Sequence, residues 1–164
     1  MTDMLIRLAE PRDAQEIARI HSESWAFAYS EFLSEDILKK QDSRRSEMWR
    51  MILENNSGTY VAEVDGKIIG FIGINPSRDE GLDNVCELTG MYLDPKFVGK
   101  GAGRALMDFA KHEMTARGYN RMSLWVFEKN IRARKFYEKS DLLPDGAEQT
   151  VLGAKAIRYI GLLR

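Results

Sequence analysis

Residues 85–104 run Val85-Cys-Glu-Leu-Thr-Gly-Met-Tyr-Leu-Asp94-Pro95-Lys-Phe-Val-Gly99-Lys-Gly101-Ala-Gly103-Arg104, and this stretch decides the fold. Its first nine residues are β-rich and predict a strand over 85–93. Pro95 stops that strand because it has no N–H to give to a ladder. Ala102, Ala105, Leu106, Phe109, Ala110 and Met114 then recur at helical spacing up to Gly118, which predicts an amphipathic helix over 101–117. Between strand and helix, Gly99, Gly101 and Gly103 let the backbone come close to a neighbour. Unpaired amides at a helix start, with the helix dipole behind them, favour an anion. Lys100 and Arg104 add formal positive charge. The plain structural alternative is a glycine-rich turn with ordinary capping.

Other phosphate-binding loops fit poorly. Gly99-Lys100 is followed by Gly101, so the hydroxyl that a P-loop offers to Mg²⁺ is missing. Neither frame through Gly99 or Gly101 completes G-x-G-x-x-G, which argues against a dinucleotide enzyme.

Outward from this core, residues 4–9 predict a strand, and Asp13, with Glu16 three positions on, predicts the N-cap of a helix. Ala14, Ile17, Ala18, His21, Trp25 and Ala28 give that helix one buried face. A weaker helical pattern covers 34–55, with a break expected near Asp42. Residues 59–64 and 67–74 read as strands meeting at Asp65-Gly66, the dipeptide of a tight type I′ hairpin. After the central helix come a strand over 122–127, a helix over 131–140 and closing strands near 147–152 and 156–163. The whole is an α+β chain, a mixed and mostly antiparallel sheet of about seven strands flanked by about four helices. With no repeat or linker, a single domain over 1–164 is expected.

Twenty-four basic against 25 acidic residues leave a net charge of −1, so no broad pull toward nucleic acid or an anionic membrane is expected. The single cysteine, Cys86, cannot form an internal disulfide and reads as a buried apolar residue. The N-terminus carries no long apolar run behind a basic region, which suggests the cytoplasm. No Cys/His/acidic cluster at ligand spacing suggests a metal.

Three segments together, Glu87 to Pro95, Val98 to Gly103, and Asn130-x-x-Ala133-x-x-Phe136-Tyr137, resemble the GNAT superfamily of N-acetyltransferases. The resemblance implies acetyl-CoA as cosubstrate, its pyrophosphate held by the amides of the loop Val98, Gly99, Lys100, Gly101, Ala102, Gly103 and Arg104. Val98 stands where the family usually has Gln or Arg, and Asp141-Leu142 where it often has Gly-Phe. By the same resemblance, Met91 and Leu93 offer backbone contacts to the pantetheine arm and an amide near Met91 meets the oxyanion. Asn130 contacts coenzyme A, and also sits where an N-cap belongs. Tyr137 protonates the leaving thiolate.

Glu87, eleven residues before Val98, stands where family members with a strand glutamate keep their general base. A salt-bridged strand carboxylate is the plain alternative. His21 is second in line, since its reference pKa of about 6.5 suits proton transfer, although an isolated His on an apolar helix face usually serves packing. His112 takes no role. Trp25, Phe27 and Tyr29 on the first helix are expected to wall the acceptor. The function implied is transfer of an acetyl group to a primary amine of a small molecule. The alternatives are acetylation of a peptide or protein N-terminus and a non-catalytic acyl-CoA-binding module. A homodimer is left open.

Overall fold

The computed structural model describes residues 3–55 and 58–163. In chain order its elements are β1 (Met4–Leu8), α1 (Ala14–Tyr29), α2 (Glu35–Glu54), β2 (Thr59–Val64), β3 (Lys67–Pro76), β4 (Val85–Leu93), α3 (Ala102–Ala116), β5 (Arg121–Phe127), α4 (Ile131–Lys139), β6 (Leu143–Val151) and β7 (Ala154–Leu162). Short 3₁₀ turns at Pro11–Asp13 and Pro95–Phe97 precede α1 and α3. The strands form one open sheet in the order β1-β2-β3-β4-β5-β7-β6. The β4–β5 pair is parallel, with α3 as its crossover, whereas β1–β2, β2–β3, β5–β7 and β6–β7 are antiparallel. This is the mixed, mostly antiparallel α+β architecture expected. By contacts the chain sorts into two compact units: residues up to Gly73 with Gly90–Leu106, and Ile74–Thr89 with residues from Met107 on. β3, β4 and α3 each pass from one unit into the other.

In the first unit, α1 gives Ala14, Ile17, Ala18 and Ile20 to a core completed by Trp49 and Leu53 of α2, Val61 of β2, and Ile68 and Phe71 of β3. The β2–β3 turn is as expected: Asp65 (φ 53°) and Gly66 (φ 77°) both take the left-handed conformation that a type I′ turn requires.

Three details differ from the sequence reading. Helix α2 runs unbroken through Asp42, with Ser34 Oγ accepting from Ile37 N–H at its start. Its buried residues are Leu38, Arg45, Trp49 and Leu53. Arg45 occupies a core-facing position, so the apolar stripe is continuous in space although it is interrupted in the letters. Second, Asp13 stands at the N-cap position of α1, but its carboxylate serves the preceding chain: it accepts from Arg7 Nη1 (2.8 Å) and Nη2 (3.0 Å) and from Glu10 N–H (2.8 Å). A guanidinium fork outcompetes a single cap amide.

The third difference lies in the second unit. β6 starts at Leu143, four residues earlier than expected, because Pro144 and Gly146 belong to a bulge and not to a loop. Pairing passes from Pro144↔Tyr159 to Glu148↔Ile157, so the extra residues of β6 loop out of the ladder. Buried Cys86 has its thiol pKa pushed up to about 11 by that burial, in keeping with an apolar role. α3 closes at Gly118 (φ 95°), with Tyr119 N–H donating to Met114 O and Gly118 N–H to Thr115 O, the Schellman pattern of a glycine stop.

Candidate active site

Asp94 sets the path of the chain out of β4. Its N–H donates to Ile69 O (2.8 Å), its Oδ1 accepts from Lys96 N–H (3.0 Å), and its Oδ2 accepts from Arg19 Nη1 (3.3 Å). After the 3₁₀ turn, Val98 is extended and Gly99 (φ 81°) and Gly101 (φ 90°) turn the chain into α3. The first intrahelical bond runs from Ala105 N–H to Gly101 O (3.1 Å). The amides of Ala102, Gly103 and Arg104 therefore head a 15-residue helix, ahead of its first intrahelical donor and at the positive end of its dipole. A Cβ built on Gly101 meets nothing within 4 Å, so glycine is required there by conformation and the space above the backbone is open. Gly103 lies inside the first helical turn. Lys100 and Arg104 are exposed, and Lys100 Nζ stands 5.8 Å from the centre of the Phe97 ring.

β4 carries the next group. Its ladder with β5 runs from Val85 to Leu88, and Met91 and Leu93, both half-buried, lie beyond the last pair. Gly70 of β3 makes room for that end of the strand: a Cβ there would lie 2.6 Å from Leu93 Cδ2 and 3.0 Å from Tyr92 O. Before the end of the ladder, Glu87 is 2% exposed. Its Oε1 accepts from Arg78 N–H (3.1 Å) and its Oε2 from Arg78 Nη2 (2.8 Å). The salt-bridged carboxylate weighed from the sequence is thus present, and the backbone amide of the same residue adds to it. Ser123, the register partner of Glu87, is fully buried, and its Oγ has no hydrogen-bond partner among the described residues.

Asn130 is the N-cap of α4, its Oδ1 accepting from Ala133 N–H (3.3 Å). Tyr137, two turns further on, is buried at 9% exposure against Phe136 (5.6 Å between ring centres) and Tyr159 (6.3 Å). Of the three residues expected to wall the acceptor, Trp25 is half-buried and lies edge-on to buried Tyr29 at 5.0 Å, whereas Phe27 is 54% exposed on another face of α1.

His21, second in line as base, sits among aromatic rings: Tyr92 stacked at 4.9 Å, and Trp25, Trp49 and Phe71 edge-on at 5.4 to 5.9 Å. Burial, with the Arg45 charge nearby, lowers its pKa to about 3, so at neutral pH the imidazole is uncharged.

The loop, Met91, Leu93, Trp25, Phe27 and Tyr29 belong to the first unit, and Glu87, Asn130 and Tyr137 to the second. Two further residues belong to this picture and escape the sequence. Arg78 holds Glu87 across a nine-residue separation with no local signature. Arg45 is 3% exposed, and its one signal in the sequence is a charge on the apolar stripe of α2.

Comparison with known proteins agrees with this architecture. The sequence pattern of the Acetyltransferase (GNAT) family matches residues 15–141. An uncharacterised N-acetyltransferase of Archaeoglobus fulgidus is 30% identical over 145 residues, covering 85% of this chain and 92% of that protein. The uncharacterised N-acetyltransferase YuaI of Bacillus subtilis is 32% identical over 129 residues, covering 76% and 72%. In structure, the PaiA N-acetyltransferase of Thermoplasma acidophilum, solved in complex with coenzyme A, superposes with a TM-score of 0.78 at 21% identity over 95% of this chain and 98% of that one. The protein described here belongs to the Acetyltransferase (GNAT) family.

Proposed function

We propose that this acetyltransferase moves an acetyl group from acetyl-CoA to a primary amine of a small molecule by direct attack through a tetrahedral intermediate. The observation that carries the reading is the head of α3, where two left-handed glycines and open space above Gly101 present helix-start amides to an anion. The coenzyme A pyrophosphate rests on the amides of residues 99–104, with Lys100 and Arg104 adding charge. That relatives are N-acetyltransferases and that the Thermoplasma protein binds coenzyme A support the assignment.

Each chemical need falls to a residue of this chain. Glu87 receives the ammonium proton, directly or through water, since an alkylamine with a pKa of about 10.4 is protonated at neutral pH. Arg78, binding both carboxylate oxygens, fixes the orientation of that base. The amine nitrogen then attacks the thioester carbonyl, and a backbone N–H near Met91, past the end of the β4–β5 ladder, stabilises the oxyanion. As the C–S bond breaks, Tyr137 gives its phenolic proton to the sulfur and recovers one from solvent. Met91 and Leu93 offer the pantetheine its backbone contacts, Asn130 a side-chain contact, and Trp25, Phe27 and Tyr29 line the acceptor side.

Thiol release from acetyl-CoA, measured against polyamines, amino acids, aminoglycosides and short peptides, tests the proposal. Turnover with one class of small amine is expected. Thermal stabilisation by acetyl-CoA with no thiol release from any amine would reduce the protein to an acyl-CoA-binding module, and turnover confined to peptides would move the acceptor to protein N-termini.

A further inference from the structure

Among the described residues, the layer formed by α1 and α2 holds three side chains with an N–H group that no protein acceptor takes. Trp25 Nε1–H is buried, with no partner among the described residues. His21 Nδ1 accepts from Trp49 Nε1–H at 3.0 Å. An indole nitrogen can only donate, so Nδ1 is unprotonated and the proton of the neutral ring sits on Nε2. That Nε2–H has no protein acceptor among the described residues, and unlike the indole N–H it is not sealed from solvent. The third donor is Arg45, whose guanidinium carbon lies 4.4 Å from the centre of the Trp25 ring. Nη1 donates to Ser22 Oγ (3.1 Å) and Asp42 Oδ1 (2.6 Å), and it alone of the three guanidinium nitrogens is hydrogen-bonded among the described residues.

The charge of Arg45 is equally incomplete. The side chain is 3% exposed, and its single carboxylate partner among the described residues, Asp42, is 44% exposed. The other groups that act on it electrostatically are the phenols of Tyr92 and Tyr29. A buried cation with two of its three guanidinium nitrogens unfilled, beside a buried indole N–H and a neutral imidazole N–H, has room for a second anionic partner with lone pairs in a plane. Trp25 and Tyr29 are also residues of the proposed acceptor wall.

Resting on the acetyl-transfer reading above, we propose that the acceptor carries a carboxylate besides its amine, as an amino acid does, and that Arg45 receives this carboxylate with Trp25 Nε1–H and His21 Nε2–H. Arg45 supplies the charge, its planar fork selects a planar oxyanion, and the two ring N–H groups take the remaining lone pairs. Arg45 and His21 are binding residues here and have no part in proton transfer.

Two measurements test this. The first compares kcat/KM for amino acids with kcat/KM for the matching amino acid amides, which keep the amine and lose the charge. The parent is expected to prefer the acids by about 10- to 100-fold, as one charge-assisted bidentate contact implies. Arg45→Gln is expected to erase the preference while still turning over the amides. Trp25→Phe, which keeps a ring at that position, lowers the preference by a smaller factor and serves if Arg45→Gln does not fold. The second follows the indole N–H resonance of Trp25, assigned by its loss in Trp25→Phe, during titration with the same acids and amides in the presence of coenzyme A. A shift with the acids and none with the amides supports the site even if no acetyl transfer is ever seen. Equal turnover of acids and amides with a stationary resonance overturns it while leaving acetyl transfer intact. A resonance that moves on adding coenzyme A alone also overturns it, since the donors then serve the cosubstrate.

Discussion

The two compact units of this chain differ in what they leave unmet. Among the described residues, the first unit holds N–H groups without a protein acceptor: the amides at the head of α3, the buried indole of Trp25, His21 Nε2–H and two of the three guanidinium nitrogens of Arg45. Apart from the buried Ser123 hydroxyl, the second holds groups whose partners are in place: Glu87 clasped by Arg78, Asn130 capping α4, Tyr159 donating to Glu138 at 2.6 Å while accepting from Arg134. Open donors are where an anion would be held, and the buried Glu87 carboxylate is held in place by Arg78. Under the proposed function, substitutions of Glu87 and Tyr137 should change kcat, and those in the loop before α3 should change affinity.

Tyr137→Phe should give the largest effect, a fall in kcat of about 10²- to 10⁴-fold, the usual range for a positioned acid. The retained ring keeps the contacts with Phe136 and Tyr159, so thermal stability and stabilisation by acetyl-CoA should change little. A variant that turns over normally makes the tyrosine purely structural and breaks the division of labour. Glu87→Gln comes next, with about a 10²-fold loss in kcat/KM, deepest at low pH where free amine is scarcest. The amide oxygen can still accept from Arg78, so folding should survive. Equal pH profiles for parent and variant would exclude Glu87 as the base.

On the binding side, Gly101→Val should weaken acetyl-CoA by about 10- to 100-fold, as expected for losing a charge-assisted amide contact. An added Cβ meets no atom within 4 Å, so the main cost to the folded state is backbone strain of about 1–3 kcal/mol at φ 90°. Unchanged stabilisation of the folded variant by acetyl-CoA would remove the loop from the site.

The smallest effect concerns His21 and stability alone. Its native pKa of about 3 lies below the unfolded value of about 6.5, so between these pH values the unfolded chain binds the extra proton. Stability from the neutral ring is then complete above about pH 6.5 and is lost as pH falls toward 3, with a slope of up to about 1.4 kcal/mol per pH unit. Denaturant titrations of the parent and of His21→Phe over this range should show the variant with the shallower slope, and parallel curves would mean that His21 titrates normally.

What the sequence made legible follows the range of the interactions. The Asp65-Gly66 hairpin, the glycines before α3, the Gly118 stop and the Asn130 cap each depend on residues within about one turn of chain, and each is where it was expected. The continuity of α2 was hidden because Arg45 is accommodated by Trp25, twenty positions earlier in the chain. The start of β6 was hidden because Pro144 and Gly146 signal a turn unless a partner strand absorbs them in a bulge. In the site, the identities of Glu87 and Tyr137 could be proposed from the chain alone. The grip of Arg78 and the donors left without acceptors exist only once distant segments have packed.

The most direct test of the account follows acetyl-CoA labelled at the acetyl carbonyl carbon by nuclear magnetic resonance as it meets the best amine of the panel. The thioester signal should give way to an amide signal on the amine nitrogen, with coenzyme A thiol appearing in equal amount, and Tyr137→Phe should slow both together. Conversion of the thioester to free acetate with the amine unchanged, or a thioester that persists in the presence of every amine, would contradict it.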